Sequence, residues 1–299
     1  MGYGILAPPA ARARNTRLVK RLSVPADNAG MRYVFSTCAF ALALAAATPA
    51  AAQFQVRQPV PPGEDYHVEL GMTFWTPDPD VVIRFDGPAG IGSDVDFVQE
   101  FGIGSKRFRE FRATVKPGRK HKLRVDHVPF KYDAEATIQR TFTFGGRTYT
   151  VGAPASTDLK WDLWKFGYEW DFVSGGAGFV GAVVDVKYSK VSAEISAAGL
   201  GVEAAEANAP VPGLGAIGRG NLGKYFSVTG EFTAFKMPDS FSEEIDGKFF
   251  DFDLYGTVNL GRNVGAQIGY RSITVDYTFD EDAGDLKMKG PYFGGVIRF

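Results

Sequence analysis

The most restrictive feature of this sequence is a period-two alternation of apolar and polar residues that recurs from residue 64 to the C-terminus. Between Trp164 and Phe172, aromatic residues occupy every even position, while Lys165, Gly167 and Glu169 fill odd ones. Because successive side chains of a β-strand point to opposite faces, such segments predict strands with one apolar and one polar face. Six segments show this pattern clearly: 64–76, 157–173, 179–191, 224–236, 248–260 and 263–277.

Four weaker segments, at 105–116, 120–138, 211–220 and 286–299, bring the expected total to ten strands. The strand from His121 changes phase near Val128-Pro129, which predicts a β-bulge, since proline cannot donate to a strand ladder. Connections after even-numbered strands are short. Those after odd-numbered strands are expected to be long, at 77–104, 138–156, 192–211, 237–247 and 278–285. This alternation predicts an all-β, antiparallel up-and-down barrel of about ten strands, with eight or twelve as alternatives.

The N-terminal region carries an export signal. A basic start at Met31-Arg32 leads into an apolar run, and small residues at 50–52 form an A-x-A cleavage site. This arrangement predicts a secretory signal peptide over 31–52, cleaved after about Ala52. Residues 1–30 are basic and aperiodic, so we expect Met31 to be the true start. Residues 53–63 are then a short periplasmic stretch, and 64–299 form the barrel.

Cleavage changes the chemistry of the mature chain. The single cysteine, Cys38, is removed, so no disulfide is expected. Residues 1–52 hold six of the 33 Lys and Arg and one of the 34 Asp and Glu, which leaves 27 basic and 33 acidic residues. A net charge of −6 argues against nucleic acid as a partner, and no motif indicates a cofactor.

Three features favour a membrane barrel over a soluble one. The apolar faces are built from long aromatic and branched residues, Trp and Tyr lie near strand ends as at a membrane interface, and the chain ends in an aromatic residue. The terminal Phe299, with Ile297 two residues before it and Gly294 five before it, resembles the assembly signal of bacterial outer-membrane proteins. The mature chain is similar to the small outer-membrane β-barrels of the OmpA/OmpX or OmpW type. This resemblance implies a Gram-negative outer-membrane location and recognition of the last strand by the barrel-assembly machinery.

The polar faces of the strands predict a charged lumen. Its residues are Glu69, Glu110, Arg112, Arg124, Asp126, Lys165, Glu169, Asp185, Lys187, Arg219, Glu231, Asp251, Asp253, Arg271 and Arg298. These side chains could form a polar pore or an ion-pair network that plugs a small barrel. Ten strands enclose little more than side chains can fill, so we favour the plug.

The expected external loops are acidic. Carboxylates suit Ca²⁺ or Mg²⁺, and the candidate ligands are Asp78, Asp80, Asp94, Asp96, Asp280 and Asp282. Solvation of the loops is the alternative that we favour, so no metal site is expected. In the second loop, 141–150 predicts a hairpin whose aromatic residues either form a recognition ledge or pack against Leu159, Trp161 and Leu163.

Catalytic signals are weak. The segment from Gly213 to Gly218 spells G-x-G-x-x-G, but a dinucleotide site needs a helix after it and here another strand follows. His127 could serve an outer-leaflet lipid enzyme, but no lipid-facing serine is expected at its depth.

We therefore expect a non-enzymatic outer-membrane barrel of structural or surface-contact type, with outer-membrane lipid and lipopolysaccharide as partners. A narrow, porin-like passive pore for small polar solutes or ions is the main alternative. An outer-leaflet lipid-modifying enzyme is a more distant one.

Overall fold

The computed structural model describes residues 63–87, 90–238, 245–279 and 281–299, together with the backbone of residues 20–22. One short helix, α1, spans Phe97–Phe101. The strands are β1 (Lys20–Leu22), β2 (Val68–Trp75), β3 (Asp78–Arg84), β4 (Val95–Asp96), β5 (Phe108–Gly118), β6 (His121–Thr137), β7 (Phe142–Phe144), β8 (Arg147–Tyr149), β9 (Pro154–Gly175), β10 (Gly178–Ala197), β11 (Gly201–Leu222), β12 (Phe226–Lys236), β13 (Ile245–Asn259), β14 (Val264–Phe279) and β15 (Asp282–Arg298). Apart from β1, which pairs in parallel with Ala205–Ala207, the predicted export segment and residues 53–62 lie outside the described residues.

Ten strands close into one antiparallel barrel in the order β2, β5, β6, β9, β10, β11, β12, β13, β14 and β15. The circle is complete because β15 pairs with both β14 and β2. Beyond Trp75 the chain continues along β15 as β3, which begins opposite Lys289. The prediction of an all-β, antiparallel, ten-stranded barrel is confirmed.

The two ends of the barrel differ. The turn end holds the short connections after β5, β9, β11 and β13, together with Val68 and Arg298. The opposite end, which we call the loop end, holds the other connections. The expectation that every connection there is long is wrong for 192–211 and 278–285, because the strands continue through most of these segments. Only residues 198–200 separate β10 from β11, and only 280–281 separate β14 from β15.

The bulge expected at Val128-Pro129 is also absent. Strand β6 stays in register with β9 from His121, opposite Trp170, to Thr137, opposite Pro154. Even-numbered side chains of β6 point inward throughout, from Lys122 to Tyr132. What changes at Val128 is the chemistry of the interior, which is charged toward the turn end and apolar toward the loop end.

The apolar interior forms one continuous core in the loop half of the barrel. Trp75 and Phe108 both pack edge-on against Phe130, with ring centroids 5.4 and 5.1 Å apart. Trp161 stacks on the same ring at 5.0 Å. Such aromatic contacts each contribute about 0.5–1.5 kcal/mol beyond area burial. The loop half is therefore built like the core of a water-soluble protein.

Candidate functional site

The outer wall of the barrel carries exposed apolar side chains on all ten strands. Phe166 is 50% exposed and Ile268 is 68% exposed. Further exposed residues of this wall are Leu70, Met72, Phe111, Leu123, Val125, Trp164, Trp170, Phe172, Val180, Val184, Val186, Leu214, Phe226, Val228, Phe232, Phe250, Leu254, Val264, Phe293 and Ile297. A continuous apolar surface of this size is foreign to a monomer in water.

The apolar wall ends at a defined height on each strand. On β10 the outward side chains are apolar from Val180 to Tyr188, and the next outward residues are Lys190, Ser192 and Glu194. The eight residue steps from Val180 to Tyr188 span about 26 Å along the strand. A strand tilt of about 40° reduces this to a height of roughly 20 Å, near the apolar band of about 25 Å on barrels that cross a membrane. The outward surface of the loop half is polar.

Inside the apolar wall lies a dense ion-pair network, which we call the lumen network. It comprises the fifteen predicted lumen residues together with Glu64, Lys122 and Asp171, and all of their side chains are buried or half-buried in the interior. Lys165 is central to it. Its ammonium lies 2.7 Å from Glu231, 3.5 Å from Asp251 and 3.7 Å from Asp185.

The network crosses the lumen from wall to wall without a break. Arg124 bridges Glu169, at 3.2 Å, and Glu231, at 2.8 Å. On the far side Arg271 binds Asp251 through two hydrogen bonds of 3.0 and 2.8 Å. The other ion pairs of the lumen network join Arg271 with Glu110, Arg112 with Glu110 and with Asp253, Lys187 with Asp185, and Arg298 with Glu69.

Asp126 differs from its neighbours. No ion pair within 4.0 Å joins it to another side chain of the described residues, but its carboxylate faces both internal cavities. Buried water bound to such a carboxylate would satisfy it.

Three members of the lumen network were missed in the sequence. Lys122 shares the even parity of Arg124 and Asp126, and Asp171 shares the odd parity of Lys165 and Glu169, so the alternation alone could have found both. Glu64 gave no such signal, because it precedes β2 and enters the lumen from the turn end.

Glu64 closes the turn end of the lumen. Its carboxylate contacts Arg219, lies 3.0 Å from Lys116 and lies 4.0 Å from Lys122. Burial by itself would raise the pKa of Glu64, but the three cations outweigh burial and lower the pKa to about 2. Glu64, which precedes β2, is therefore held inside the barrel by charge.

Two cavities within the lumen have room only for water molecules. The larger has a volume of about 30 Å³ and lies between Tyr66, Arg124 and Arg219. The smaller has a volume of about 10 Å³ and lies between Asp126, Lys165 and Arg271. A cavity needs roughly 10–15 Å³ to hold one water, so neither accommodates a solute.

The loop end is covered by its connections. Strands β7 and β8 form the predicted hairpin, joined by Gly145 and Gly146 at φ +62° and +78°, which are backbone conformations that favour glycine in two-residue turns. Phe144 is fully buried against Phe85 at 5.3 Å, and Phe142 and Tyr149 are buried as well. Of the two interpretations of this hairpin, burial supports packing and contradicts the exposed recognition ledge, but the contacts are with Phe85, Phe101 and the Ile195 carbonyl and not with the expected Leu159, Trp161 and Leu163.

The cover is also held by polar contacts. Arg140 of the second connection lies 3.1 Å from Glu100 of α1, and Arg147 lies 2.5 Å from Glu203 of β11. Burial, followed by the charge of Glu203, raises the pKa of Tyr149 to about 12. The aromatic hairpin, α1 and the first connection together close the barrel above its apolar core.

The candidate metal ligands are not brought together. Asp94 pairs with Arg84 at 2.9 Å, Asp96 caps α1, and Asp282 accepts from the backbone amide of Asp86. Asp78 accepts from Ser105, Asp80 lies 4.0 Å from Lys287, and Asp280 lies outside the described residues. In the described ranges no group of three or more potential ligands could hold a metal ion.

The remaining predicted positions lie on the barrel wall. His127 faces outward, stacks on Trp164 at 4.1 Å and lies 3.4 Å from Asp162. Gly213 and Gly218 lie within β11, with no helix after them. On β15, Ile297 and Phe299 are exposed, while Gly294 approaches β2 so closely that an added Cβ would lie 2.2 Å from the Met72 carbonyl oxygen.

A closed antiparallel barrel with an apolar outer wall and an ionic interior belongs to the class of transmembrane β-barrels. In the described part of the chain, no helix is both long and apolar enough to cross a membrane.

Comparison with known proteins adds structural neighbours but no family. No family model and no curated protein sequence matches the chain. Among solved structures it is similar to the outer membrane protease OmpT from Escherichia coli, with 10% identity over 81% of this chain and 99% of that one and a TM-score of 0.49. The toluene transporter TodX of Pseudomonas putida matches at 8% identity over 79% and 90% of the two chains, with a TM-score of 0.35.

A third match is the transport unit of the autotransporter AIDA-I from Escherichia coli. It has 10% identity over 88% of this chain and 98% of that one, with a TM-score of 0.32. Because all three TM-scores are below 0.5, the function of this chain has to be argued from its own residues.

Proposed function

We propose that this protein is an integral, non-enzymatic outer-membrane β-barrel that does not conduct solutes and acts as a structural or surface-contact element of the Gram-negative envelope. The apolar outer wall supports insertion, since a charge facing lipid at mid-depth costs about 2–4 kcal/mol for Arg or Lys. The turn end would face the periplasm and the loop end the exterior, as in bacterial barrels with short periplasmic turns.

One observation carries the proposal: buried side chains occupy the interior from the turn end to the loop end. Glu64 and Tyr66 occupy the turn end, the lumen network fills the middle, and the apolar core around Trp161 and Phe130 fills the loop half. The interior is thus half ionic and half apolar, whereas the polar faces of the strands predicted a charged interior only. Ions crossing it would lose their hydration shell with no polar replacement above the network.

The surroundings of His127 support a non-enzymatic role. A lipid hydrolase of this type needs a nucleophile beside the histidine. The strand neighbours of His127 are Phe111 and Trp164, and neither has a hydroxyl group. The ring instead stacks on Trp164, which supports a role at the membrane interface.

We further propose outer-membrane lipid and lipopolysaccharide as the surroundings of the wall, the barrel-assembly machinery as a partner of β15, and export by a signal peptide. The broad, mostly polar surface of the loop half would be the part available for contacts outside the cell.

The competing function is a narrow passive pore, and its support is the polar lining of the larger cavity. Folded protein, verified by a heat-dependent shift in gel migration, is reconstituted into planar bilayers beside a general porin as positive control. We expect no stable unitary conductance at neutral pH. Stable unitary steps would establish the pore and contradict the filled lumen, and protein without a heat-dependent shift would contradict the membrane barrel itself.

A further inference from the structure

One wall of the barrel carries an excess of positive charge immediately beyond its apolar surface. Arg109 on β5 and Lys190 on β10 are exposed and point outward, and Arg107 precedes β5 on the same wall. We call these three residues the basic patch. Among the described residues, no carboxylate lies within 4.0 Å of any of them.

The cations one outward row closer to the loop end are neutralised. Lys131 lies 2.8 Å from Asp133, and Lys160 lies 2.9 Å from Asp158. In the row of the patch itself, Asp162 lies opposite Lys190 across the β9–β10 pair, but its carboxylate lies 3.4 Å from His127. The three cations of the patch therefore outnumber the one acidic residue beside them, whereas Lys131 and Lys160 each have a carboxylate within 4.0 Å.

A continuous aromatic row lies directly below the basic patch. Phe111, His127, Trp164 and Tyr188 are paired across adjacent strands from β5 to β10. Arg109 and Lys190 follow Phe111 and Tyr188 by two residues toward the loop end, about 6.6 Å along the strand. Interfacial aromatic residues lie at the level of lipid headgroups, so the basic patch lies in the headgroup layer.

Arg107 strengthens this placement. Its guanidinium lies 5.5 Å from the ring of Phe293, an exposed residue of the apolar wall. The cation is thus held against the surface that acyl chains would cover. An arginine in this position can donate two parallel hydrogen bonds to a phosphate, which a lysine cannot.

From this geometry, and resting on the membrane location proposed above, we propose that the basic patch and the aromatic row form a binding site for an acylated lipid with an anionic phosphate headgroup in the outer leaflet. The patch binds phosphate and the row contacts the acyl chains. Arg109 and Lys190 are separated by three strand spacings, about 14 Å, so the site favours a headgroup with two phosphates over one with a single phosphate. A free phosphate ion would satisfy only half of it.

The test uses the full chain folded in a neutral detergent and titrated with diphosphoryl lipid A, with binding read by native mass spectrometry. The variant R107Q/R109Q/K190Q removes the patch, and K190Q alone serves as a milder variant. The matched control, R119Q/K120Q/K224Q, removes three cations from the turn end. We expect affinity to fall about fivefold for each patch charge removed, to fall with added salt, and to be unchanged in the control.

Several results would overturn the assignment. The first is binding by the triple variant that equals binding by the unaltered protein. The second is an equal loss of affinity in the turn-end control. The third is displacement of the lipid by equimolar inorganic phosphate. A heat-dependent gel shift is recorded for every sample. Protein that lacks it contradicts the membrane barrel on which this site rests, whereas shifted protein with unselective binding contradicts the lipid site alone.

Discussion

Glu64 is the residue whose ionisation most directly links pH to the closure of the turn end. Its pKa is lowered from 4.5 to about 2, so its contribution is fully present above pH 4.5 and is lost as the pH falls toward 2. The shift corresponds to about 3 kcal/mol. We expect Glu64→Gln to lower the free energy of unfolding by about this amount at pH 7, and to flatten its decline between pH 4.5 and 2.

The measurement is urea unfolding in detergent as a function of pH. The matched control is Asp65→Asn, which changes an exposed neighbouring carboxylate. If the free energies of unfolding of the two variants showed the same dependence on pH, the charge contacts of Glu64 would not stabilise the turn end of the lumen.

Lys165 tests whether the lumen network acts as a unit. Its ammonium is shared by Glu231, Asp251 and Asp185, so Lys165→Met leaves three buried carboxylates without their common cation. Removing one partner of a buried ion pair costs about 3–5 kcal/mol. We expect that loss in the single variant and a partial recovery in Lys165→Met/Glu231→Gln, measured as a double-mutant cycle of unfolding free energies.

Lys224 provides the comparison for this cycle, because it lies exposed in the turn between β11 and β12. Lys224→Met should change stability by less than about 0.5 kcal/mol. Strictly additive effects of the two lumen substitutions would show that Lys165 and Glu231 do not interact.

At the scale of elements, the hairpin β7–β8 is the part of the loop-end cover that mutation can test most directly. Phe144 is fully buried in it, and a Phe→Ala change in a core costs about 3–5 kcal/mol. Because β7 and β8 pair with each other in a sheet separate from the barrel strands, we expect Phe144→Ala to release the cover locally and to leave the barrel folded. Trypsin should then cut faster after Arg140 and Arg147, as followed by mass spectrometry.

Val151→Ala is the control in the same connection, since Val151 is 62% exposed. It should leave the cleavage rate unchanged. Equal rates in all three proteins would mean that the buried ring does not hold the cover in place.

The elements also show what period-two alternation can and cannot predict. All ten barrel strands were found, because every strand has two unlike faces, whichever face is apolar. The pattern failed at Val128-Pro129 and in 192–211, where the surroundings of the strands change from lipid to water. Alternation reports that the two faces differ, but it does not report which face is inside.

The lumen network was predictable to the same extent: the sequence indicates which residues share a face, but not which contacts they make. Parity places Arg124, Asp126 and Lys165 in the lumen, but which carboxylate each cation contacts depends on register across several strands. Glu64 lies before the first strand and has no periodic signal. The burial of the aromatic hairpin could not be inferred either, since the alternatives of exposure and packing share one sequence pattern.

At the scale of the whole molecule, the barrel has two halves with opposite distributions of polar and apolar side chains. In the turn half the wall is apolar and the interior ionic, while in the loop half the wall is polar and the interior apolar. Strands β6, β9 and β10 run through the boundary without interruption, whereas β2 and β5 end at it, where Trp75 pairs with Phe108. In the strands that run through, the boundary is set by side-chain chemistry.

This arrangement predicts that one substitution has opposite consequences at two outward positions of the same strand. Val184 lies in the middle of the apolar stretch of β10, and Ser192 lies beyond it on the same face. Val184→Arg should lower the free energy of unfolding in lipid vesicles by about 2–4 kcal/mol, because the guanidinium would face hydrocarbon at mid-depth. Ser192→Arg should change it by less than about 0.5 kcal/mol, because that position faces water. Both variants introduce the same side chain and the same charge on one face of one strand, and the expected difference between them exceeds the roughly 1 kcal/mol range of strand propensity. Equal costs at the two positions would mean that the membrane does not end between Tyr188 and Lys190.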